Sequence, residues 1–280
     1  AAGYYPPPPG ESEIMGLECA GEIVDAGDTN RQVGEKVACL LAGGGYAEYV
    51  AVPAGQLLPI PEGYSYEQAA AVVEVAATVW SNLGMLTGLT AGQTVLIHGG
   101  AGGIGTFAIQ LAKHLGAQVA VTAGSVEKLE ACRRLGADIL INYREENFAD
   151  VLKNRCDRIL DIIGAKYLDQ NVTALAPDGH MVIIGMQGGV KGELNIGKLL
   201  AKRGTISATA LRARSHDDKA RIVADTIEHV WPLLADGTIT HQLHATLPLA
   251  DAAHAHELLR SGAVTGTLVL NVCSNEASKG

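Results

Sequence analysis

Long apolar runs, basic runs and paired cysteines are all missing from this 280-residue sequence. No apolar stretch reaches the ~18 residues of a membrane-spanning helix, so we expect no membrane partner. The formal net charge is −9 and no Lys/Arg run offsets it. This charge argues against a nucleic-acid partner, because such proteins carry basic surfaces. No GxSxG segment is present, so a hydrolase would lack its nucleophile motif.

The five cysteines are scattered, odd in number, and nowhere spaced as a CxxC pair. Their spacing argues against a zinc knuckle or a disulfide framework. Reduced thiols in a cytoplasmic protein are therefore expected. No signal peptide is visible, but the chain opens on AAGYYPPPPG without a Met, so we expect its true start to be missing.

What the sequence does contain is a regular alternation of strands and helices in its middle part. Apolar strands such as TVLIHGG, QVAVTAG, DILINY, DRILDIIG and HMVIIG alternate with helical segments from residue 94 onward. This alternation predicts an α/β fold with a doubly wound parallel sheet and helices on both faces. The flanking segments are short β-like runs cut by Gly and Pro. We therefore predict an inserted domain at 76–241 and a β-rich domain made of 1–75 and 242–280.

A glycine-rich turn, LIHGGAGGIG, follows the first of these strands and opens a helix. Gly100, Gly102 and Gly105 have the spacing GxGxxG, in the strand–turn–helix context that a dinucleotide-binding fingerprint requires. We expect Gly100 to make the turn, Gly102 to let the backbone approach a pyrophosphate, and Gly105 to let helix and strand pack closely. Amides at the helix start would then meet the anion. A glycine-rich turn in an unrelated α/β protein is the alternative.

The end of the second strand indicates which dinucleotide is bound. NAD-binding proteins usually place Asp or Glu about 20 residues after the glycines, where it accepts a hydrogen bond from the ribose 2′-OH. Here the strand tip offers Gly124 and Ser125, and Lys128 lies one turn into the next helix. Amides, a hydroxyl and a cation suit a 2′-phosphate, so the sequence predicts NADPH.

Three neighbouring residues bear on that choice of cofactor. Tyr143 and Arg144, in NYRE at the end of the next strand, are placed to contact the same phosphate or the adenine. Glu127 is the opposing feature, because a carboxylate turned inward there would favour NADH.

The motifs, in order, resemble a known family over essentially the whole chain. YPPPPG, GLECAGEIV, GGGYAEYVAVP, VLIHGGAGGIG, DIIG, VIIGMQGG and LPLADAAHAHELL together resemble the zinc-independent quinone oxidoreductases, the zeta-crystallin-like branch of the medium-chain dehydrogenase/reductase superfamily. The resemblance implies a Rossmann domain inserted in a GroES-like catalytic domain, with NADPH in the cleft between them. It also implies a homodimer formed through the edge strand near 205–211. Family members begin with several strands before the proline segment, and those are absent here.

The resemblance also implies a set of site residues, carried over by position. Tyr5 and Thr78 correspond to nicotinamide-side contacts and are the catalytic candidates. The cofactor contacts implied are Gly102, Gly103 and Ile104 for the pyrophosphate, Gly124, Ser125, Lys128 and Tyr143 for the 2′-phosphate and adenosine, and Ile163, Gly185 and Met186 beneath the nicotinamide ribose.

The segment GLECAGEIV also departs from a zinc alcohol dehydrogenase, which would place a metal-binding histidine at Leu17. Catalytic zinc takes three protein ligands from Cys, His or an acid, and it stabilises an alkoxide. We therefore predict no metal, and acceptors that take hydride without one. Quinones fit best because the developing charge spreads over a ring, and conjugated enones or enals come second. The Tyr5 hydroxyl, or a water, would donate a hydrogen bond to the developing oxyanion.

The predicted function is an NADPH-dependent quinone reductase with a small-molecule substrate and direct hydride transfer. Two alternatives remain open. One is an NADPH-dependent reductase of enal, enone or enoyl-thioester double bonds on the same fold. The other is a non-catalytic NADPH-binding protein. Substrate pockets are built from variable loops, so the sequence does not separate the first two readings.

Overall fold

The structure is a computed structural model that describes residues 7–261, 264 and 266–272. Tyr5 lies outside the described residues. Eleven strands are assigned within this part of the chain: β1 (Glu18–Glu22), β2 (Lys36–Leu40), β3 (Leu57–Pro59), β4 (Thr94–His98), β5 (Gln118–Ala123), β6 (Ile139–Asn142), β7 (Cys156–Asp161), β8 (Leu175–Ile183), β9 (Thr205–Ala208), β10 (Leu243–Pro248) and β11 (Thr267–Asn271).

The helices of the described residues alternate with these strands in the middle of the chain. They are α1 (Tyr66–Ala70), α2 (Val73–Trp80), α3 (Gly103–His114), α4 (Val126–Arg134), α5 (Phe148–Val151), α6 (Leu168–Ala174), α7 (Ile196–Lys202), α8 (His216–His229), α9 (Trp231–Ala235) and α10 (Ala252–Ser261). A π-helical stretch, Ser81–Leu86, continues α2.

Side-chain caps fix where several helices begin. Ser65 and Gln68 form the capping box that their spacing predicts: the Ser65 hydroxyl accepts the Gln68 N–H, and the Gln68 side chain accepts the Ser65 N–H. Ser125, at the start of SVEKLEACRRLG, caps α4 by accepting the Lys128 N–H. Helix α7 was not predicted, although Asn195 caps it by accepting the Lys198 N–H at 2.9 Å.

The chain divides into two compact units, Thr78–Ala210 and the residues on either side of that segment. The Thr78–Ala210 unit contains one six-stranded sheet, in the order β6-β5-β4-β7-β8-β9 with every neighbouring pair parallel. Successive residues Val95, Leu96 and Ile97 of β4 are all fully buried, so both faces of the sheet are covered. The doubly wound parallel sheet is therefore confirmed.

The order of strands creates a switch point between β4 and β7. After β4 the chain adds β5 and β6 on one side, then returns to add β7, β8 and β9 on the other. Ligands of open parallel sheets bind outside the carboxyl ends of the strands at such a point. The glycine-rich turn follows β4, so it lies at this position.

The other unit carries a three-stranded antiparallel sheet, β1-β2-β3, and a parallel pair, β10-β11. Residues 211–241 group with this unit, whereas the sequence division placed them in the inserted domain. Side chains explain the grouping. A Cβ on Gly55 would lie 2.6 Å from that of Ala220 in α8, and the Trp231 indole N–H donates to the Pro59 carbonyl at 2.7 Å. These long-range contacts carry no local sequence signal.

The expectation that no apolar stretch is long enough to span a membrane is wrong by length and composition alone, because the described helical stretch Tyr66–Leu86 is long and apolar enough, with a mean hydropathy of 1.4. However, 67% of its most apolar window is buried within the protein. Core helices of soluble proteins pass the same test of length and composition.

Candidate functional site

The predicted site segments lie along one edge of the six-stranded sheet. Parallel strands present their carboxyl ends at the same edge. The glycine-rich turn follows β4, Gly124 and Ser125 follow β5, and Tyr143 follows β6. Ile163 and Gly185 follow β7 and β8 in the same way.

Backbone geometry shows which glycines form the turn after β4. Gly99 has a left-handed φ of +68°, and the Gly102 N–H donates to its carbonyl at 2.9 Å, so the turn spans residues 99–102 and includes Gly100. A Cβ on Gly100 would lie 2.8 Å from the Val121 Cβ, so Gly100 is required by packing. A Cβ on Gly105 would lie 2.4 Å from the Gly99 carbonyl oxygen. Gly105 therefore lets α3 pack closely on the backbone of the turn, and Gly100 lies within that turn while also packing on β5.

The space beside Gly102 and Gly103 is open, whereas Gly99, Gly100 and Gly105 are crowded by neighbouring atoms. A Cβ on Gly103 would meet no atom within 4 Å, and one on Gly102 would meet only the Gly99 carbonyl oxygen, at 3.4 Å. Gly102 is the N-cap of α3, and Ile104 lies in its first turn. The first N–H groups of a helix have no acceptor within it, and they attract anions. A bare backbone at a helix start fits a pyrophosphate.

The tip of β5 and the loop after β6 come together around Gly124. A Cβ on Gly124 would lie 2.5 Å from the Tyr143 hydroxyl oxygen and 3.4 Å from the Arg144 Nε. The sequence places these residues about 20 positions apart, and the parallel pairing of β5 with β6 joins them. Tyr143 remains half exposed. Arg144 therefore belongs with Gly124, Ser125 and Tyr143, the residues that the family resemblance names for a 2′-phosphate.

Two charged residues of α4 lie beside this tip. Lys128 is exposed, and its backbone N–H donates to the Ser125 hydroxyl at 3.4 Å. The Glu127 carboxylate is also exposed, and its pKa lies below the ordinary value because its own backbone N–H and the Ser125 side chain hydrogen-bond to it. The tip thus brings the cations Arg144 and Lys128 near Ser125, with the Glu127 carboxylate beside them.

The segments after β7 and β8 pack on each other. The Gly188 N–H donates to the Ile163 carbonyl at 2.7 Å. A Cβ on Gly185 would lie 2.7 Å from the Ile162 carbonyl oxygen, so only glycine fits there. Met186 follows with 59% of its surface exposed. The structure therefore brings together Ile163, Gly185 and Met186.

Thr78 is buried at the turn where α2 becomes π-helical. Its carbonyl accepts hydrogen bonds from the Asn82 amide at 2.8 Å and the Ser81 hydroxyl at 3.2 Å. The Asn82 oxygen in turn accepts from the Thr209 hydroxyl at 2.7 Å. The helical spacing of Ala76, Trp80, Leu83 and Thr87 predicts an ordinary helix near 76–87. The change to π-helix occurs where these polar side chains bind main-chain carbonyls.

Glu18, beside Leu17, acts as a helix cap. Its carboxylate accepts the Glu74 N–H, in the first turn of α2, at 2.8 Å. Burial, with the nearby Glu74 charge, raises the pKa of Glu18 to about 8. Leu17 offers no ligand atom. Among the described residues, one cluster of three potential metal ligands is found, and it lies on α8: Asp225, Glu228 and His229.

This cap gives a testable dependence of stability on pH. Between an ordinary pKa of 4.5 and the folded value of about 8, the folded state holds a proton that the unfolded state has lost. We therefore expect the free energy of unfolding to fall as pH rises from about 5 to about 8, by at most ~1.4 kcal/mol per pH unit. Glu18→Gln keeps an acceptor oxygen for Glu74 and should flatten the profile.

Urea unfolding at a series of pH values measures this effect. Glu62→Gln, at an exposed position, is the matched control and should leave the profile unchanged. Superimposable profiles for wild type and Glu18→Gln would show that Glu18 is ionised throughout this range.

Comparison with known proteins identifies the family. Residues 103–228 match a family model described as "Zinc-binding dehydrogenase", and residues 1–62 match one described as "Alcohol dehydrogenase GroES-like domain". A quinone oxidoreductase of Pseudomonas aeruginosa is 33% identical over 277 residues, which cover 96% of this chain and 85% of that protein. The chain belongs to the quinone oxidoreductase family of the medium-chain dehydrogenase/reductase superfamily.

Solved structures of this family share the fold. A Pseudomonas syringae quinone oxidoreductase superposes with a TM-score of 0.83 at 30% identity, covering 96% of this chain and 84% of that one. An Escherichia coli quinone oxidoreductase complexed with NADPH gives 0.81 at 29% identity, covering 95% and 84%. The Rossmann domain inserted in a GroES-like domain is confirmed, and the chain is an oxidoreductase of this superfamily.

Much longer proteins also contain a segment that is similar to this chain. A highly reducing polyketide synthase of Emericella nidulans is 34% identical over 279 residues, which cover 95% of this chain but 11% of the synthase. A polyketide synthase subunit of Mycobacterium tuberculosis is 30% identical over 97% of this chain and 13% of its own length. The chain thus spans a small part of these relatives.

Proposed function

We propose that this family member is an NADPH-dependent quinone reductase that works without a metal. The observation that carries the proposal is the side-chain set at Leu17 and Glu18. The zinc in the family model's description does not fit here, because Leu17 has no ligand atom and the Glu18 carboxylate caps α2. Without a cation to stabilise an alkoxide, the chain is suited to an acceptor that takes hydride unaided. A quinone is such an acceptor, because the charge that develops spreads over its ring.

The cofactor assignment rests on the edge of the six-stranded sheet. When bound, NADPH supplies the hydride. Backbone amides of the open turn at Gly102 and Gly103 would hold the pyrophosphate. Ser125 and Arg144, with Lys128 nearby, would hold the 2′-phosphate, since a guanidinium and a hydroxyl suit that group. The E. coli relative's complex with NADPH supports this choice.

The remaining predicted contacts belong to the nicotinamide end. Ile163, Gly185 and Met186 would lie beneath the ribose, and Thr78 would contact the nicotinamide side. Tyr5 is proposed to donate a hydrogen bond to the oxyanion that forms on the quinone. These roles follow the family resemblance.

Reduction of a conjugated double bond is the second candidate function. The polyketide synthase relatives favour it, because they match nearly the whole of this chain at 34% and 30% identity. Enals, enones and enoyl thioesters are the substrate classes that this reading names. A chain that binds NADPH and reduces nothing would be the third reading.

One experiment separates the three readings. The purified protein is mixed with NADPH, or with NADH, and absorbance of the reduced nicotinamide is followed with ortho- and para-quinones, alkenals and crotonyl-CoA. Turnover of quinones alone is the expected result. Turnover of alkenals or crotonyl-CoA alone would overturn the quinone assignment, and faster turnover with NADH would overturn the cofactor assignment. Binding without turnover would support the third reading.

We also propose a cytoplasmic homodimer that pairs through β9. This strand is last in the sheet order, and exposed edges of this kind invite pairing. Val190, Ile196 and Leu200, which precede β9, have 70–75% of their surfaces exposed. Light scattering should give twice the monomer mass of 29.1 kDa, and a monomer mass would contradict the proposal.

A further inference from the structure

Buried polar side chains form one chain of hydrogen bonds beneath the loops at the sheet edge. The Gly99 N–H donates to the Thr122 hydroxyl at 3.3 Å, and that hydroxyl lies 3.0 Å from the His98 Nδ1. The His98 Nε2 lies 2.7 Å from the Asn171 amide oxygen. The Asn171 amide nitrogen donates to Asp161 at 3.1 Å. The four side chains are at most 1% exposed.

Donor and acceptor chemistry gives this series of hydrogen bonds a single direction. The Asp161 carboxylate accepts N–H groups from Ile163 at 2.7 Å, from Gly164 at 3.2 Å and from Asn171. Burial raises the pKa of Asp161, and the backbone N–H groups of Ile163 and Gly164 act against this by stabilising the carboxylate. Facing a carboxylate that these fixed donors already hold, Asn171 turns its NH₂ toward it. The Asn171 oxygen then accepts, which requires the His98 Nε2 to carry hydrogen.

The directions of the remaining hydrogen bonds, at Thr122 and Gly99, follow from that tautomer. With hydrogen on Nε2, the His98 Nδ1 is an acceptor, so the Thr122 hydroxyl donates to it and accepts from Gly99. Rings of Phe148 and Tyr167 pack on His98 at centroid distances of 4.7 and 4.9 Å. Burial lowers the pKa of His98 to about 4, which keeps the ring neutral near neutral pH. Every bond therefore points from Gly99 toward Asp161.

The two ends of this series of hydrogen bonds lie in the loops after β4 and β7, the two strands that flank the switch point. At one end is Gly99, whose φ of +68° makes the glycine-rich turn after β4. At the other end are Ile163 and Gly164, in the loop after β7. The two loops also touch, because a Cβ on Gly99 would lie 2.7 Å from the Ile162 side chain. Each loop belongs to a different part of the proposed cofactor site.

We propose that His98, as its Nε2–H tautomer, is a positioning residue that holds the glycine-rich turn and the 161–164 loop at a fixed spacing. This spacing sets the pyrophosphate position against that of the nicotinamide ribose. The inference rests on the proposed dinucleotide site. Its consequence is specific. Affinity for the whole dinucleotide, which contacts both loops, depends on this spacing, whereas affinity for 2′,5′-ADP, which has a 5′-phosphate for the glycine-rich turn but no nicotinamide ribose for the 161–164 loop, does not.

Variants of Thr122 and His98 test the chain at separate bonds. Thr122→Val keeps the shape and removes the hydroxyl, and Thr122→Ser keeps the hydroxyl. His98→Asn retains an acceptor near Nδ1 for Thr122, and His98→Gln retains a donor near Nε2 for Asn171. We expect Thr122→Val, His98→Asn and His98→Gln each to weaken NADPH binding by about tenfold or more, with 2′,5′-ADP changed by less than about twofold. Thr122→Ser should bind both ligands as the wild type does.

Phe148→Leu is the matched control. It removes a ring that packs on His98 and lowers stability without removing a hydrogen bond. Calorimetric titration of every variant with NADPH and with 2′,5′-ADP gives the ratio of the two affinities, and thermal unfolding gives stability. Phe148→Leu should lower the melting temperature and leave the ratio unchanged. A ratio shifted by Phe148→Leu as much as by Thr122→Val would overturn the proposal, since general loosening would then explain both.

The tautomer is tested without any ligand. The ¹⁵N spectrum of protein labelled at histidine should show His98 neutral with hydrogen on Nε2, and the assignment can be made by loss of its signals in His98→Gln. Hydrogen on Nδ1 would overturn the proposal. A wild-type protein that binds NADPH, with variants that bind it equally well, would sink this inference alone. A wild-type protein that does not bind NADPH would sink the proposed function and this inference together.

Discussion

Gly102→Val is expected to abolish NADPH binding while the protein stays folded. Gly102 has φ −81° and ψ 172°, an extended conformation that valine adopts readily. Its new Cβ would meet one protein atom, the Gly99 carbonyl oxygen at 3.4 Å, so the remaining methyl groups would extend into the open space in front of α3. That space is where the pyrophosphate must approach the backbone. We expect the affinity for NADPH to fall by at least about 100-fold.

The stability cost of this change is small. Valine is a poorer N-cap than glycine, which costs about 1 kcal/mol and lowers the melting temperature by roughly 2–4 °C. Calorimetric titration and thermal unfolding measure the two effects separately.

Gly105→Val, in the same motif, should behave in the opposite way. Its Cβ would overlap the Gly99 carbonyl oxygen at 2.4 Å and the Gly100 Cα at 2.6 Å, and both are backbone atoms that cannot move aside. Overpacking of this kind costs about 3 kcal/mol or more, so we expect a melting temperature lower by roughly 10 °C or failure to fold. If Gly102→Val bound NADPH as tightly as the wild type, the pyrophosphate would lie somewhere other than this turn.

Local signals explain most of what the sequence predicted correctly. The strands of the parallel sheet are short apolar runs, and the helices between them carry caps such as Ser125, so both are legible residue by residue. The glycine motif located the turn for the same reason. It did not indicate that Gly99, just before the motif, has the left-handed φ of the turn, because spacing alone does not report which glycine has positive φ.

What the sequence did not predict depends on contacts between distant residues. His98 and Thr122 are 24 positions apart, and His98 and Asn171 are 73 positions apart, so no local pattern marks them as one hydrogen-bonded chain. The grouping of α8 with the β-rich unit rests on the contact of Gly55 with Ala220, which is equally remote in sequence. Arg144 was considered beside Tyr143, but its position over Gly124 required the pairing of β5 with β6.

Ser125→Asp is expected to reverse the preference for the phosphorylated cofactor. The Ser125 hydroxyl caps α4 by accepting the Lys128 N–H, and aspartate caps helices equally well, so α4 should be retained. A carboxylate at this strand tip would repel a 2′-phosphate and would accept a hydrogen bond from a ribose 2′-OH. Placing like charges together costs several kcal/mol. We expect the ratio of NADPH to NADH affinity to fall by at least about 100-fold, measured by titration with each cofactor.

Ser65→Asp is the matched control, because it makes the same exchange at the N-cap of α1 and adds the same charge. It should leave the cofactor preference unchanged. Salt gives a second check: repulsion at a partly exposed site is screened, so raising the ionic strength should restore part of the NADPH affinity lost in Ser125→Asp, whereas a steric block would not respond. A Ser125→Asp variant that still preferred NADPH at low salt would place the phosphate away from the tip of β5. The roles assigned to Arg144 and Lys128 would then have to be given up, while the pyrophosphate site at Gly102 would stand on its own test.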